Sequence, residues 1–389
     1  MENPFKFGGI VFDPYFADRQ TEIATLTREI SNLNRVFLVS PRRYGKSCLL
    51  FNLIESLKNF HVPSAYIDLN AHPTIESLAI AYATATGKAL ETNLQKLGSF
   101  FDSFKFFRPK ATMEMGEVKY SMQFDLDADQ KDALAALLES LAKAEMLAKK
   151  KKKRLAVFID EFSDLSKYDG AELEKALRSE IQKHQHVAYV FSGSEQLVML
   201  AMIADKTRAF YKLGRIMQLG PIPRNEYSGF IQRWFTKGGR LFAPQRANEC
   251  LTEIFNLAKD VPYNVQRMCH NIWNATTTSG AMIDAGLVRK IPDIIATQDS
   301  PHFELIWRTV SIKQRRILFA LAKTPMLKPF SKDFALTHRL SPPSSVKAAL
   351  VSLRKKGLIY MNARGRYRFT DPFFKHWILL IAANMLPLR

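Results

Sequence analysis

Apolar residues in the first 220 positions follow two interleaved patterns. Ile23, Leu26, Ile30 and Leu33 recur at helical spacing and predict a helix over 20–33. Short, continuous apolar runs at 36–40, 64–69, 155–160, 187–192 and 215–219 predict strands, with helical stretches between them. That alternation predicts an α/β fold built on a mostly parallel sheet. Over 105–125 the period drops to two: Val118, Tyr120, Met122 and Phe124 alternate with Lys119, Ser121 and Gln123. A turn near Gly116 makes this a hairpin, read as a decoration on the edge of the sheet, with a partner surface as the alternative.

After Pro221 the strand pattern stops. Helical spacing over 224–236, 244–258, 262–278 and 283–297 predicts a helical lid, closed by the polar joint Asp299-Ser300-Pro301. Beyond 303, Ile306, Val310, Ile317, Leu318 and Leu321 mark a first pair of helical segments, and 330–340 reads as a short helix. A further helix starts at Ser341-Pro342-Pro343, buries Val346, Ala349, Leu350 and Leu353, and ends at Gly357. Leu358-Ile359-Tyr360 and Tyr367-Arg368-Phe369 then flank a basic turn. Helices followed by such a hairpin are the pattern of a winged helix-turn-helix. The expected division is an α/β domain over 1–220, a lid over 221–300 and a winged helix over 301–389.

The strongest chemical signal is Ser40-Pro41-Arg42-Arg43-Tyr44-Gly45-Lys46-Ser47, lying between an apolar strand and an apolar helix that begins at Cys48. A P-loop needs that order. Backbone N–H groups of the loop and of the helix start surround phosphates, the Lys reaches the β- and γ-phosphates, and the Ser hydroxyl ligates Mg²⁺. Ser40 stands where the pattern has its first glycine. A second run, Leu155 to Ile159, ends in Asp160-Glu161. In that position the first acid holds Mg²⁺ and the second orients and deprotonates the attacking water. ATP and Mg²⁺ are the cofactors these two runs imply.

Charge adds a partner. The chain of 389 residues carries a formal net charge of +19, and 301–389 holds 17 Lys and Arg against 3 acids. A basic winged helix suggests double-stranded DNA. Ser344, Ser345, Lys347, Arg354 and Lys355 would face the groove, and Arg364, Arg366 and Arg368 would form the wing. The alternative is a winged helix that binds a protein. The basic run Lys149 to Arg154 reads as a solvated loop, and His184-Gln185-His186 lacks a third metal ligand. Three scattered cysteines and the lack of a 20-residue apolar run lead to the expectation of a cytoplasmic protein.

With these residues in place, the chain resembles the archaeal-type ATPases of the STAND/AAA+ branch of P-loop NTPases. The resemblance rests on Asn3-Pro4-Phe5, Phe16-x-Asp18-Arg19-x-x-Glu22, the P-loop, Asp160-Glu161-Phe162, Ser192-Gly193-Ser194, Leu213-Gly214-Arg215, Val261-Pro262-Tyr263 and Asp371-Pro372-Phe373-Phe374-x-x-Trp377. It implies that Asp18, Arg19 and Pro262 lie near the nucleotide base. It implies that Ser192 is either a polar sensor of the γ-phosphate or lytic water, or a strand-end serine bonded to backbone. It makes Arg215 the candidate arginine finger, in cis or in trans within an oligomer, with Arg208 second.

Overall fold

The computed structural model describes the chain except for residues 115–116, 125–129, 169, 277–281, 325–328, 330–333, 335–337, 339, 341–342, 363–364 and 381–389. The short helix expected over 330–340 lies almost wholly outside the described residues, and Arg364 lies outside them as well. The chain packs into two compact units, Gly9–Ile222 and Met1–Gly8 together with Pro223–Arg389.

The first unit holds α1 (Gln20–Ser31), β1 (Arg35–Val39), α2 (Lys46–Asn59), β2 (Ser64–Asp68), α3 (Ile75–Leu90), α4 (Leu94–Asp102), β3 (Phe107–Glu114) and β4 (Glu117–Phe124). It continues through α5 (Gln130–Lys150), β5 (Leu155–Asp160), α6 (Gly170–Ile181), β6 (Val187–Gly193), α7 (Gln196–Ala204) and β7 (Arg215–Gln218). Five strands form one parallel sheet in the order β2-β5-β6-β1-β7. Both faces are covered, which is why the strands read as unbroken apolar runs. Their alternation divides the core. Val36, Leu38, Ala156, Phe158, Ala188 and Val190 pack with Leu26 and Ile30 of α1 and Leu49, Leu50 and Leu53 of α2. Phe37, Val39, Val157, Tyr189 and Phe191 pack on the other face with α3, α5 and the residues after β5. There the rings of Phe37, Phe162, Phe191 and Phe210 stack within 4.5–6.3 Å of one another.

The hairpin of β3 and β4 forms as expected, but it does not extend the sheet edge. It is a separate two-stranded sheet that meets α3 and α4. Gly214, just before β7, is required by a close approach: a Cβ there would lie 2.3 Å from the Arg35 carbonyl oxygen.

The second unit contains α8 (Arg224–Lys237), β8 (Leu241–Phe242), α9 (Ala247–Ala258), α10 (Pro262–Ala275), β9 (Met282–Ile283), α11 (Ala285–Gln298), α12 (Ser300–Arg308) and α13 (Ile312–Lys323). It ends with α14 (Pro343–Lys355), β10 (Ile359–Met361), β11 (Tyr367–Phe369) and α15 (Pro372–Leu380). The first eight residues belong here because Phe5 is buried among Phe230, Phe235 and Trp273, and its carbonyl lies 2.9 Å from His270 Nδ1. Among the described residues no helix is long and apolar enough to cross a membrane.

At the amino edge of the parallel sheet, His184 is buried with Nδ1 2.8 Å from the Tyr189 hydroxyl and Nε2 3.5 Å from Glu180. Burial holds its pKa below the usual 6.5, against the pull of Glu145 and Glu180. A histidine that is harder to protonate when folded contributes fully above its unfolded pKa. That contribution is lost as pH falls through 6.5 toward the lower folded value. Melting temperature is therefore expected to drop from about pH 7 to about pH 5, and His184→Gln to flatten that part of the curve. Identical slopes in both proteins would exclude His184 as the cause.

Candidate active site

The site forms at the carboxyl ends of β1, β5 and β6, where open α/β sheets place their ligands. Adjacent β5 and β6 bring Asp160 and Ser192 together, and β1 beside β6 delivers the loop 40–47. The loop turns on two left-handed residues, Arg43 (φ 71°) and Gly45 (φ 85°). A Cβ on Gly45 would meet no atom within 4 Å, so its dihedral, not crowding, demands glycine. Ser40 is not left-handed, so it needs no glycine. It is buried, its N–H donates to Gly193 O at 3.2 Å, and its hydroxyl donates to Pro41 O at 3.0 Å. The departure at Ser40 therefore leaves the loop backbone intact. Arg42 Nη2 pairs with Glu195 Oε1 at 2.9 Å on the surface.

Lys46 opens α2 with its ammonium buried. It donates to Asp160 Oδ1 and, at 2.9 Å, to Glu161 Oε1. Ser47 Oγ stands 3.4 Å from Asp160 Oδ2, and Ser192 Oγ donates to Asp160 Oδ1 at 2.6 Å. Burial pushes the Asp160 carboxyl up, but the Lys46 charge and the hydrogen bonds from Lys46, Ser192 and the Glu161 N–H outweigh it and hold the pKa below the usual range. Glu161 adopts φ 49°, and its Oε2 accepts from the Ser194 hydroxyl at 2.8 Å and the Ser194 N–H at 3.2 Å. A left-handed non-glycine at such a point is strain held by its surroundings. Together a cation, a hydroxyl and an ionised carboxylate form a donor set that fits phosphate oxygens and a hard divalent cation.

Sequence reasoning missed three contributors. Tyr66, on β2, donates its hydroxyl to Asp160 Oδ2 at 2.8 Å and packs on Phe51 with ring centroids 4.7 Å apart. Burial and the Asp160 charge push its pKa far above the usual range, so it remains a donor. Asp68 pairs in register with Asp160 at the end of β2, and burial raises its pKa. Asn52, on α2, holds the segment before α1, accepting from Asp13 N–H at 3.2 Å and donating to Val11 O at 2.8 Å. Beside it, Cys48 Sγ accepts from Val11 N–H at 3.4 Å.

Other candidates are placed differently. Arg19 is buried, pairs with Glu22 at 2.7 Å, and donates to Tyr44 O at 3.2 Å and Gly220 O at 2.7 Å, so it braces the P-loop from below. Asp18 Oδ1 accepts from Gln20 N–H at 3.2 Å, at the start of α1. Arg215 opens β7 opposite Val36, whereas Gln218 stands opposite Val39. Three strand residues, about 10 Å, thus separate Arg215 from the phosphate end, and it pairs with Glu29 at 2.5 Å. The structure does not bring Arg215 to its own chain's site, because a residue that opens a parallel strand lies at the end away from the P-loop. Arg208 is engaged by both Glu174 carboxylate oxygens. Pro262 belongs to the second unit, where it opens α10 and its carbonyl accepts from the Tyr227 hydroxyl at 3.2 Å.

In the second unit Ser344, Lys347, Arg354 and Lys355 are exposed on α14, and Ser345 is half-buried. Ser344, Lys347, Ala348, Val351, Ser352 and Lys355 line one shallow groove along this helix. Gln314 Nε2 donates to Ser352 Oγ at 2.9 Å and seats α14 on α13. In the wing Arg368 faces Tyr360 across the hairpin, and the Arg366 N–H donates to Asn362 Oδ1 at 2.9 Å.

A glycine-lysine-serine turn between strand and helix, facing paired acids across an inserted strand, defines a P-loop ATPase of the AAA+-like kind. The sequence matches the family described as an ATPase domain predominantly from Archaea over residues 16–264, and the chain belongs to that family. Residues 301–379 match a probable winged helix domain. The fold is similar to a Walker-type ATPase of Pyrococcus abyssi, with a TM-score of 0.61 and 17% identity over 97% of this chain and 100% of that one. It is also similar to the ORC2 protein of Aeropyrum pernix in its ADPNP–ADP complexes, with a TM-score of 0.52 and 13% identity over 99% of this chain and 98% of that one. Comparison with curated proteins gave no match.

Tyr66→Phe removes one of the groups that orient Asp160. Should the site hydrolyse a nucleotide with Mg²⁺, loss of such a supporting hydrogen bond is expected to weaken that turnover by about 10–100-fold, with nucleotide binding without Mg²⁺ unchanged. Wild-type Mg²⁺ dependence in the variant would exclude this role.

Proposed function

We propose that the protein hydrolyses ATP slowly, in a Mg²⁺-dependent manner, as a switch coupled to a winged helix that binds duplex DNA. The observation that carries the first half is the convergence of Lys46, Ser47, Asp160, Glu161 and Ser192 at one end of one sheet. Lys46 would exchange its carboxylate partners for the β- and γ-phosphates, and Ser47 and Asp160 would hold Mg²⁺, Asp160 through water. Bound Mg²⁺ supplies charge neutralisation on the phosphates. Glu161, released by Lys46 and still held by Ser194, orients and deprotonates the lytic water. Ser192 keeps Asp160 oriented and lies one strand residue before Gly193, within the sensor stretch. In this reading Arg215 acts in trans on a second copy, where an arginine finger is worth about 10³–10⁵ in rate. Asp18 and Pro262 are assigned to the base, and the functional division follows 1–220, 221–300 and 301–389.

The second half rests on the basic, exposed face of α14 and on the half-buried Arg366 and Arg368 of the wing. A protein partner is the other reading, favoured by the exposed apolar Val351, Tyr360 and Met361 among those cations.

Lys46→Ala is expected to abolish tight ATP binding, and Glu161→Gln to preserve binding while stopping turnover. Equal loss of binding in both variants would overturn the assigned roles. Duplex DNA at moderate salt is expected to change wild-type turnover, and Arg366→Ala with Arg368→Ala to remove that response. Turnover indifferent to DNA, with no measurable DNA binding, would give the winged helix to a protein partner.

A further inference from the structure

The basic run 149–154, which reads as a solvated loop in sequence, is held as one compact turn. Lys149 and Lys150 close α5, and the next three residues fold back on that helix. The N–H groups of Lys151, Lys152 and Lys153 donate to Leu147 O, Lys149 O and Ala148 O, each at 3.0 Å. Lys152 adopts φ 53°, the left-handed conformation that glycine or asparagine usually supplies at a helix end. Arg154 Nη1 donates to Ser31 O at 2.6 Å, and the Leu155 N–H donates to His186 O at 2.9 Å. The turn is thus fastened to the segments that enter β1 and β6.

β2, β5, β6 and β1 lie side by side and parallel, so their amino ends share one edge of the first unit. The segments that form this edge, 30–35, 56–64, 146–155 and 181–187, contain no Asp or Glu. Acids that approach from the helices are already engaged. Glu29 pairs with Arg215 at 2.5 Å, Glu55 with Lys58 at 2.6 Å, Glu91 with Lys151 at 2.8 Å and Glu180 with Lys183 at 2.9 Å. Glu145 accepts from the Gln185 and His186 N–H groups at 3.0 Å. Lys149, Lys150, Lys152 and Lys153 are exposed and make no ion pair among the described residues. The carboxyl end of a helix favours cations, which accounts for Lys149 and Lys150. It gives no reason for a lysine in the left-handed position 152.

We propose that this turn binds the phosphate backbone of duplex DNA, as a sequence-independent contact carried by the first unit at the end of its sheet away from the P-loop. It is separate from the winged helix and does not depend on the reading given to that domain. Four unpaired point charges on one short turn match closely spaced phosphates, and their contact releases counterions. Residues 149–154 include no Asn, Gln, Ser or Thr to reach a base edge, so the contact fixes position without reading sequence. An anionic lipid surface fits less well. A helix that lies on a membrane needs a free apolar face, and α5 has Leu137, Leu141, Ala144 and Ala148 buried in the core.

The test is fluorescence anisotropy of the full chain with two labelled duplexes of unrelated sequence across a salt series. It compares wild type, the quadruple variant Lys149→Gln, Lys150→Gln, Lys152→Gln, Lys153→Gln, the single variants Lys152→Gly and Lys175→Gln, and the wing variant Arg366→Ala with Arg368→Ala. The quadruple variant is expected to weaken binding equally for both sequences and to lower the slope of log K against log salt by about 2–4, each phosphate contact contributing about 0.9. Lys152→Gly should lower the slope by about one, with a melting temperature equal to or above that of wild type because glycine suits the left-handed position. Lys175→Gln, which removes an exposed cation of α6 outside the turn, should leave the slope unchanged. If the quadruple variant melts and binds as wild type while the wing variant loses binding, the turn is overturned and the winged-helix reading stands. If Lys175→Gln acts as strongly as Lys152→Gly, net charge alone is at work and the proposal falls. It falls too if wild type binds neither duplex but sediments with phosphatidylserine vesicles and the quadruple variant does not, which would give the edge to a lipid surface.

Discussion

The rest of the first unit is organised around one buried ammonium. Lys46 lies between the carboxylates of Asp160 and Glu161, bringing together two segments that are far apart in sequence. A cation removed from water at this depth is tolerable only with opposite charge and further hydrogen bonds in place. The site supplies them: Ser192, Tyr66 and the Glu161 N–H satisfy Asp160, and Ser194 satisfies Glu161. The same arrangement is a charge exchange held ready. A polyphosphate can take over Lys46, and the acids it leaves are then matched by a divalent cation and a water.

Strand order makes this meeting unavoidable. β5 sits between β2 and β6, so its last residue receives Tyr66 from one side and Ser192 from the other. β1 joins β6 on the far side and carries the phosphate loop to the same edge. Arg19 then ties that loop, through Tyr44 O, to Gly220 just beyond β7. The opposite edge of the sheet has a different character, with the His184 network and the Arg215–Glu29 pair. Both fasten strands to helices, at the end of the sheet away from this chain's own phosphate loop.

The second unit solves a different problem. It has small helices and a short hairpin, so aromatic contacts bear much of its cohesion. Arg267 is set among Phe7, Tyr263 and Phe373 while pairing with Asp299 at 2.8 Å, and so ties the lid helix to the N-terminal segment, the joint and the last helix of the winged domain.

The sequence by itself determined the features that depend on neighbours along the chain. The P-loop is contiguous, its glycine is fixed by a local dihedral, and apolar runs of strand length lead directly into it and into Asp160-Glu161. The basic C-terminal quarter and the helix-plus-hairpin pattern are likewise local. Tertiary structure alone decided what meets across the sheet. Tyr66 reads as one more core aromatic until β2 is placed beside β5, and nothing local shows that Arg19 meets Gly220, 201 residues later. Arg215 sits in a suggestive motif, yet the direction of its strand places it at the edge away from its own chain's phosphate loop. The hairpin's alternation was legible, but not whether it would pair with the sheet or stand apart. Periodicity reports which face of an element is apolar; which partner covers that face, and from which end, is set by strand order and by contacts between distant segments.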